Sequence, residues 1–285
     1  MELSRQTSQD LAEVIHRLCG LVIGQNKTYL VRHRLEPLIH RYRLDGFEQL
    51  LQRLRTRAEP ELHDAVIDAI TTKETSFFRD HAVFKALQQQ VLPECAKRLQ
   101  GAGGRRHRIR IWSAGSSTGQ EAYSLAMLVC ELVEADIARK LCDNHFSILA
   151  SDISTTALAA AQAGRYARAE VARGLTDSLL RRHFIAERKH WVAGEPLRRL
   201  VRFLRFNLLH SPIELGPFDL VLCRNVLIYF DEPTQRRVCE ALYGILHDGG
   251  WLVLGAAESL HGVEDRMEAI KVGKAVLYRK LQTAG

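Results

Sequence analysis

Between Ile109 and Met127 the chain reads IRIWSAGSSTGQEAYSLAM, an apolar run followed by two glycines and an amphipathic segment. Arg108 to Trp112 alternates basic and apolar side chains, the pattern of a strand, and Ser113-Ala114-Gly115 ends it in a tight turn. From Gly119 onward Tyr123, Leu125, Met127 and Leu128 make the stripe of a helix. Strand, glycine turn and helix in that order form the first unit of a doubly wound α/β sheet, whose ligands sit at the carboxyl ends of the strands. We therefore read this turn as a cofactor pocket. It is neither G-x-G-x-x-G nor a P-loop, since no Lys-Ser/Thr pair follows Gly119, so it matches a pyrophosphate poorly. Glu121 in the first helical turn argues the same way, because its carboxylate repels a phosphate but suits a cationic ligand or a pair of hydroxyls. An acid there also has a purely structural use against the helix dipole.

With 285 residues, 46% of them hydrophobic, the chain can bury the core of one large or two ordinary domains. No apolar run approaches the roughly 18 residues that span a bilayer, and Glu2, Arg5 and Asp10 interrupt any secretory leader, so a soluble cytoplasmic protein without membrane insertion is expected. Cys19, Cys95, Cys130, Cys142, Cys223 and Cys239 include no C-x-x-C pair, which suits packed, reduced thiols. The histidines form no H-E-x-x-H set, and no metal is expected. The net charge of +7 is concentrated: Lys27 to Arg57 carries eight basic residues against three acids, and Arg165 to Arg205 eleven against four. Such zones face nucleic acid, an acidic protein surface, or only solvent.

Taken in order, Leu11, Val14, Ile15, Leu18 and Val22 recur at helical spacing, with Gly20 and Gly24 as breakers. A second stripe, Val31, Leu35, Leu38, Ile39 and Tyr42, carries Arg32, His33, His40, Arg41 and Arg43 on and beside its opposite face. Pro37 inside it predicts a kink or a split. Phe47, Leu50, Leu51 and Leu54 mark a third helix, and Pro60 opens a fourth through Leu62, Val66, Ala69 and Ile70. Residues 1–77 thus read as a small, basic, all-α domain. Thr71 to Asp80, TTKETSFFRD, by pattern alone is an N-cap with a hydrophobic anchor. A helix from His81 to Leu99 runs into Gly101-Ala102-Gly103-Gly104, so residues 78–105 read as a linker helix.

In residues 106–285, Phe146 to Ala150 is a second buried strand ending in Ser151-Asp152, where an acid commonly holds ribose hydroxyls. Ala157 to Ala163 is an alanine-rich helix closed by Gly164. The basic stretch of about 165–205 is too long for a crossover and reads as an inserted β-subdomain. Asn207-Leu208 follows the strand-like Val201 to Phe206, and Arg224-Asn225 follows the apolar strand Phe218 to Cys223; both lie at strand ends where ligands bind. Asp231 caps a helix that periodicity carries to Leu246. Asp248-Gly249-Gly250 then turns into a strand from Trp251 to Leu254, and Val276 to Lys280 forms the last strand.

The blocks TTKETSFFRD, IWSAGSSTGQEAYSLAM, ILASDIST, FDLVLCRNVLIYF and DGGWLVLGAAESL, in this order behind a basic helical domain, resemble the CheR-type chemotaxis receptor methyltransferases over nearly the whole chain. The resemblance implies an α/β fold: a Rossmann-like methyltransferase domain that binds S-adenosylmethionine, with a small inserted β-subdomain, behind an all-α N-terminal domain. It implies methylation of glutamate side chains on the cytoplasmic helical bundle of methyl-accepting chemotaxis proteins, giving γ-glutamyl methyl esters and S-adenosylhomocysteine. Carried over, the cofactor contacts fall on Lys73, Thr75, Arg79, Glu121, Asp152, Asn207, Leu208, Arg224 and Asn225, and the catalytic positions on Arg79 and Tyr229. Lys73 stands where the family usually has asparagine, and Gln120 and Ala122 where it has glutamate and proline. The inserted segment looks shorter than in relatives whose subdomain grips a receptor's C-terminal peptide, which leaves such a tether open.

The chemistry fits the residues as well. A glutamate carboxylate, with an unperturbed pKa of about 4.3, needs no strong general base at neutral pH. The enzyme must supply alignment, with Arg79 orienting a carboxylate and Tyr229 the reacting groups. The basic helix with Arg32, Arg34, Arg41 and Arg43 suits an acidic receptor helix, steering encounter more than deepening affinity. Two rivals remain on sequence grounds, a nucleic-acid methyltransferase and a non-catalytic signalling scaffold that binds the cofactor. Against the first, Cys223-Arg224-Asn225-Val226 is not an N-P-P-Y motif and Cys223 lacks a preceding proline, so no nucleic-acid partner is expected.

Overall fold

A computed structural model describes residues 3–24, 28–56, 59–101, 108–135, 141–260, 264 and 266–281. Residues 102–104 of the expected glycine linker, with Lys27 and Arg57 of the first basic zone, lie outside the described residues.

The N-terminal part consists of four helices, α1 (Arg5–Cys19), α2 (Thr28–Arg41), α3 (Phe47–Arg55) and α4 (Pro60–Ile70). The Ser4 hydroxyl caps α1 by accepting the Thr7 N–H at 3.0 Å. The apolar stripes of the four helices, with Leu11, Ile15, Leu35, Ile39, Phe47 and Val66 among them, close on one core. Pro37 neither splits nor ends α2. It is solvent-exposed, on a face where a carbonyl left without its N–H partner can be hydrated.

The described residues of the remainder hold ten strands: β1 (Ile109–Ala114), β2 (Phe146–Asp152), β3 (Arg165–Ala167), β4 (Phe184–Glu187), β5 (His190–Ala193), β6 (Val201–Arg205), β7 (Phe218–Cys223), β8 (Leu246–Leu254), β9 (Met267–Val272) and β10 (Ala275–Lys280). Seven of them form one sheet in the order β6-β2-β1-β7-β8-β10-β9, and β3-β5-β4 form a second. β6, β2, β1, β7 and β8 run parallel; β10 pairs antiparallel with both β8 and β9. Because β1 sits between β2 and β7, the strand order reverses at its end, and the crevice of a doubly wound sheet opens there. The helices of this part are α5 (His81–Ala86), continued by a π-helical turn (Leu87–Val91) into α6 (Leu92–Gly101), then α7 (Gln120–Ala135), α8 (Thr155–Ala163), α9 (Arg168–Ala172), α10 (Asp177–His183), α11 (Glu195–Leu200) and α12 (Glu232–Gly244). Among the described residues no helix is long and apolar enough to cross a membrane.

Several boundaries differ from those the sequence predicts. Residues 81–101 are not a linker: Val83, Phe84, Leu87, Val91, Leu92, Cys95 and Ala96 are buried in the main α/β core, so this helix is one of the layers covering the sheet. The helical domain's own core ends at Ile70, whereas Phe77 packs edge-on against Tyr166 at 5.0 Å and Phe184 at 5.5 Å; the boundary therefore precedes residue 77. The inserted subdomain ends before Val201, because Val201–Arg205 pairs in parallel with Ile148–Asp152 at the edge of the main sheet. α12 stops at Gly244 and β8 begins at Leu246: Leu246 pairs with Phe218 and Trp251 with Leu220, so Asp248-Gly249-Gly250 bulges out of a strand already under way. Strand β9 had no counterpart in the pattern, since it is an edge strand with only Met267 buried and offers no apolar periodicity.

Candidate active site

A cavity of about 330 Å³ lies over the carboxyl ends of β1, β2, β6 and β7. Its walls come from the residues that follow those strands, and Cys19, Leu21, Thr71 and Thr72 of the helical domain complete it. That domain is fastened at several points. Asn207 Nδ2 donates to Leu18 O at 2.8 Å, Val22 N to Tyr229 O at 2.8 Å, and Arg205 Nη1 to Asp64 at 2.8 Å. Asp68 of α4 accepts from the hydroxyls of Ser154 and Thr155. Burial works against the Asp68 charge, but these hydrogen bonds, the Thr156 N–H and nearby Lys73 hold its carboxyl below the ordinary range.

The glycine turn is built for close backbone approach. Gly115 has φ +78°, and a Cβ there would lie 2.5 Å from Val226 Cγ2. The N–H groups of Gly115 and Ser116 both donate to Ser151 O at 2.8 Å, which ties the turn to the end of β2. That end presents Asp152, whose Oδ2 accepts the Ser117 N–H at 2.8 Å and whose Oδ1 accepts the Ser154 N–H at 2.9 Å. Burial pushes the Asp152 carboxyl up, more than those N–H groups pull it down.

The second carboxylate is held quite differently. Glu121 accepts Ser113 Oγ at 2.7 Å and Arg224 Nη1 at 2.9 Å. Arg224, its side chain 1% exposed, also donates to Asp80 Oδ2 at 2.6 Å and Arg79 O at 2.8 Å, and lies over the Phe84 ring at 5.6 Å. One buried guanidinium thus joins the helix after the glycine turn to the TTKETSFFRD segment. This decides how that segment is used. Phe77 and Phe78 are the buried anchors the pattern suggests, but Asp80 makes no capping hydrogen bond to α5 and turns to Arg224 instead. Phe78 and Asp80 both adopt positive φ, 48° and 63°, a backbone cost that persists only where surrounding contacts fix it.

Of the residues singled out by sequence, Thr75, Arg79, Glu121, Asp152, Asn207, Leu208, Arg224, Asn225 and Tyr229 all line this cavity. Lys73 does not. Its ammonium bonds Thr156 Oγ1 and lies 3.9 Å from Asp68 Oδ1, while only its carbonyl faces the turn, accepting Ser117 Oγ at 3.1 Å. The asparagine-to-lysine departure is accommodated because the long stem carries the charge to an acid outside the site. Accordingly, Lys73→Ala is expected to change adenosylhomocysteine affinity by less than about twofold in a calorimetric titration, because its ammonium pairs with a half-buried acid that does not line the cavity; a tenfold loss would return Lys73 to the site. The Asn207 amide is likewise spent on Leu18 O and on the Leu209 N–H, at 3.0 Å.

The pattern missed Cys19, Leu21, Thr71, Thr72, Ser116, Ser117, Ile153, Phe206, Val226 and Phe230, which also line the cavity. The helical-domain members carry no signal in a linear reading, since only the docking of α1 and α4 brings them there. Chemically, Asp152 at the end of β2 and Glu121 in the first turn of α7 share a crevice with apolar Ile153, Phe206, Leu208 and Val226, and Glu74 lies at its wall. Such a site suits a ligand with hydroxyls for Asp152, a cationic group near Glu121 and a flat apolar part. S-adenosylmethionine has all three.

A family model described as CheR methyltransferase, SAM binding domain, matches residues 73–276, and one described as CheR methyltransferase, all-alpha domain, matches residues 7–71. Chemotaxis protein methyltransferase 1 of Pseudomonas aeruginosa is 39% identical over 266 residues, covering 93% of this chain and 94% of its own length. Chemotaxis protein methyltransferase 1 of Vibrio cholerae is 37% identical over 278 residues, with 97% and 98% covered. Chemotaxis protein methyltransferase Cher2 of Pseudomonas putida is 35% identical over 266 residues, with 93% and 94% covered.

Proposed function

Since this chain belongs to the CheR methyltransferase family, we propose that it methylates glutamate side chains on the cytoplasmic helical bundle of methyl-accepting chemotaxis proteins, using S-adenosylmethionine. The observation that carries this reading is the pairing of Glu121 and Asp152 in one cavity, each carboxylate fixed by its own donors. When bound, S-adenosylmethionine supplies a methyl group activated by a positively charged sulfur. Asp152 is placed to accept ribose hydroxyls and Glu121 to face the cationic amino acid end. Arg224 keeps Glu121 oriented, and Arg79, whose Nη1 donates to Glu74 O at 3.1 Å, presents the rest of its guanidinium to a carboxylate. Tyr229 stands at the cavity wall where it can orient the incoming acid. The substrate carboxylate is already ionised, so these groups contribute alignment, worth roughly 7–11 kcal/mol when the pose is near attack.

The receptor helix docks on α2 in this reading. Arg32 and Arg41 are exposed there and Arg43 in the turn just beyond it, whereas Arg34 donates to Ala69 O at 3.2 Å and serves the fold. Cytoplasmic action follows from where the receptor bundle lies. The nucleic-acid alternative loses ground on two counts: Arg224 is committed to acids and cannot meet a phosphate, and Cys223 is fully buried with its thiol pushed far up by burial, unfit as a cytosine nucleophile.

Incubation with methyl-labelled S-adenosylmethionine and a receptor cytoplasmic fragment tests the reading. The expected result is label on the receptor, released by mild base as methanol. Base-stable label, label on RNA or DNA, or binding without transfer would each sink it.

A further inference from the structure

The DGGWLVLGAAESL block takes no part in lining the cavity, yet one of its side chains governs a segment that does. The Glu258 carboxylate accepts three main-chain N–H groups: Oε2 takes those of Asn225 and Gly255, both at 2.7 Å, and Oε1 that of Ile228 at 3.2 Å. Asn225 is held at φ 59°, and the chain then makes a 3-10 turn over Leu227–Tyr229. Gln235 of α12 serves the opposite polarity, its Nε2 donating to Leu227 O and Phe230 O at 3.0 Å each. The segment from Asn225 to Phe230 is thus gripped by its N–H groups from one side chain and by its carbonyls from another. At Gly255 a Cβ would lie 2.6 Å from Asn225 Nδ2 and 2.7 Å from Glu258 Oε2, so bare backbone is needed for the carboxylate to reach. Converging N–H groups make an anion nest, here filled by the chain's own carboxylate, and bonds to an ionised acceptor are the strong ones.

We infer that Glu258 is a positioning residue for methyl transfer, acting through the main chain of Asn225 to Tyr229 to hold the Tyr229 ring at the cavity. The inference rests on the reading that places Tyr229 at the reacting centre. A displacement of about 1 Å in a reacting pose costs on the order of 100-fold in rate. Glu258→Ala should therefore lower kcat by about 10- to 100-fold, with a smaller change in adenosylhomocysteine Kd. Glu258→Gln, which keeps one oxygen for the N–H groups, should recover much of the turnover.

The deciding measurement is a double-mutant cycle on kcat with labelled S-adenosylmethionine and a receptor cytoplasmic fragment, comparing wild type, Glu258→Ala, Tyr229→Phe and the double variant. If Glu258 acts through Tyr229, the double variant is about as slow as the slower single one. Losses that multiply, or a Glu258→Ala enzyme as fast as wild type, overturn the inference while Tyr229 keeps its role. A fast Tyr229→Phe enzyme, or a wild type that transfers nothing, overturns the functional reading and the inference with it. Should Glu258→Ala not fold, Glu258→Asp, whose shorter side chain withdraws the acceptor from the three N–H groups, takes its place in the cycle on the same criterion.

Discussion

Replacing Arg224 by methionine is expected to cost about 3–5 kcal/mol of stability, as breaking a buried ion pair from one side does, together with most of the affinity for adenosylhomocysteine. The side chain is 1% exposed and serves three acceptors, Glu121, Asp80 and Arg79 O. Without it Glu121, itself 12% exposed, keeps only the Ser113 hydroxyl. A buried carboxylate left without its cation penalises the fold. Against a whole-protein stability of about 5–15 kcal/mol, the loss is large enough to read from a shifted denaturation midpoint at unchanged slope. Arg224→Met combined with Glu121→Gln removes the stranded charge and should regain part of the stability but none of the affinity. A single variant less than about 1 kcal/mol below wild type would show that the cluster is solvated and the pairing weak.

Arg224 also marks the limit of what a linear reading can tell. Strand, glycine turn and helix from Ile109 to Met127 are legible because each depends on local chemistry: alternation, a left-handed glycine, a helical stripe. The same holds for the four N-terminal helices, whose spacing selects most of the buried faces, although Val22, read into the first stripe, lies beyond α1 and is 48% exposed. Arg224, Asn225 and Asp152 are legible as cavity positions because strand ends face the crevice of such a sheet, whereas Tyr229, in the turn beyond β7, is reached only through the family resemblance. Their partners are not. Nothing near Arg224 in sequence announces that its charge is spent on Asp80 and Glu121, 144 and 103 residues earlier. Lys73 fails in the complementary way, since a motif fixes the position of its Cα but not which way a flexible side chain extends. The linker reading of residues 81–101 and the missed strand β9 share one cause. Both depend on what covers them in three dimensions, the first being buried by the sheet and the second left at its edge.

Asp152 is expected to give the largest loss of ligand affinity. A hydrogen bond to a charged acceptor is worth about 1.5–3 kcal/mol, so removing an acceptor for two hydroxyls should raise the adenosylhomocysteine Kd by about 100-fold, each tenfold being about 1.4 kcal/mol. Asp152→Asn is the better variant, because alanine would also strand the Ser117 and Ser154 N–H groups that the carboxylate now accepts. The pH dependence gives an independent reading. Burial holds the Asp152 carboxyl above its ordinary value in spite of those two N–H donors, and the ionised form is the one that accepts from hydroxyls. Affinity should therefore fall as pH drops through this raised value, while ordinary surface carboxylates are still ionised, and Asp152→Asn should show a weaker but flatter profile. Folding runs the other way. With the folded-state pKa raised, the folded chain holds the proton more tightly than the unfolded one, so this group favours folding below its unfolded value and loses that contribution as pH rises through the folded one. Acidification over this window should thus weaken the ligand while Asp152 itself strengthens the fold, a divergence that general acid unfolding cannot mimic. If affinity and the wild-type melting temperature instead decline together, and Asp152→Asn follows the same course, Asp152 is not the ribose acceptor.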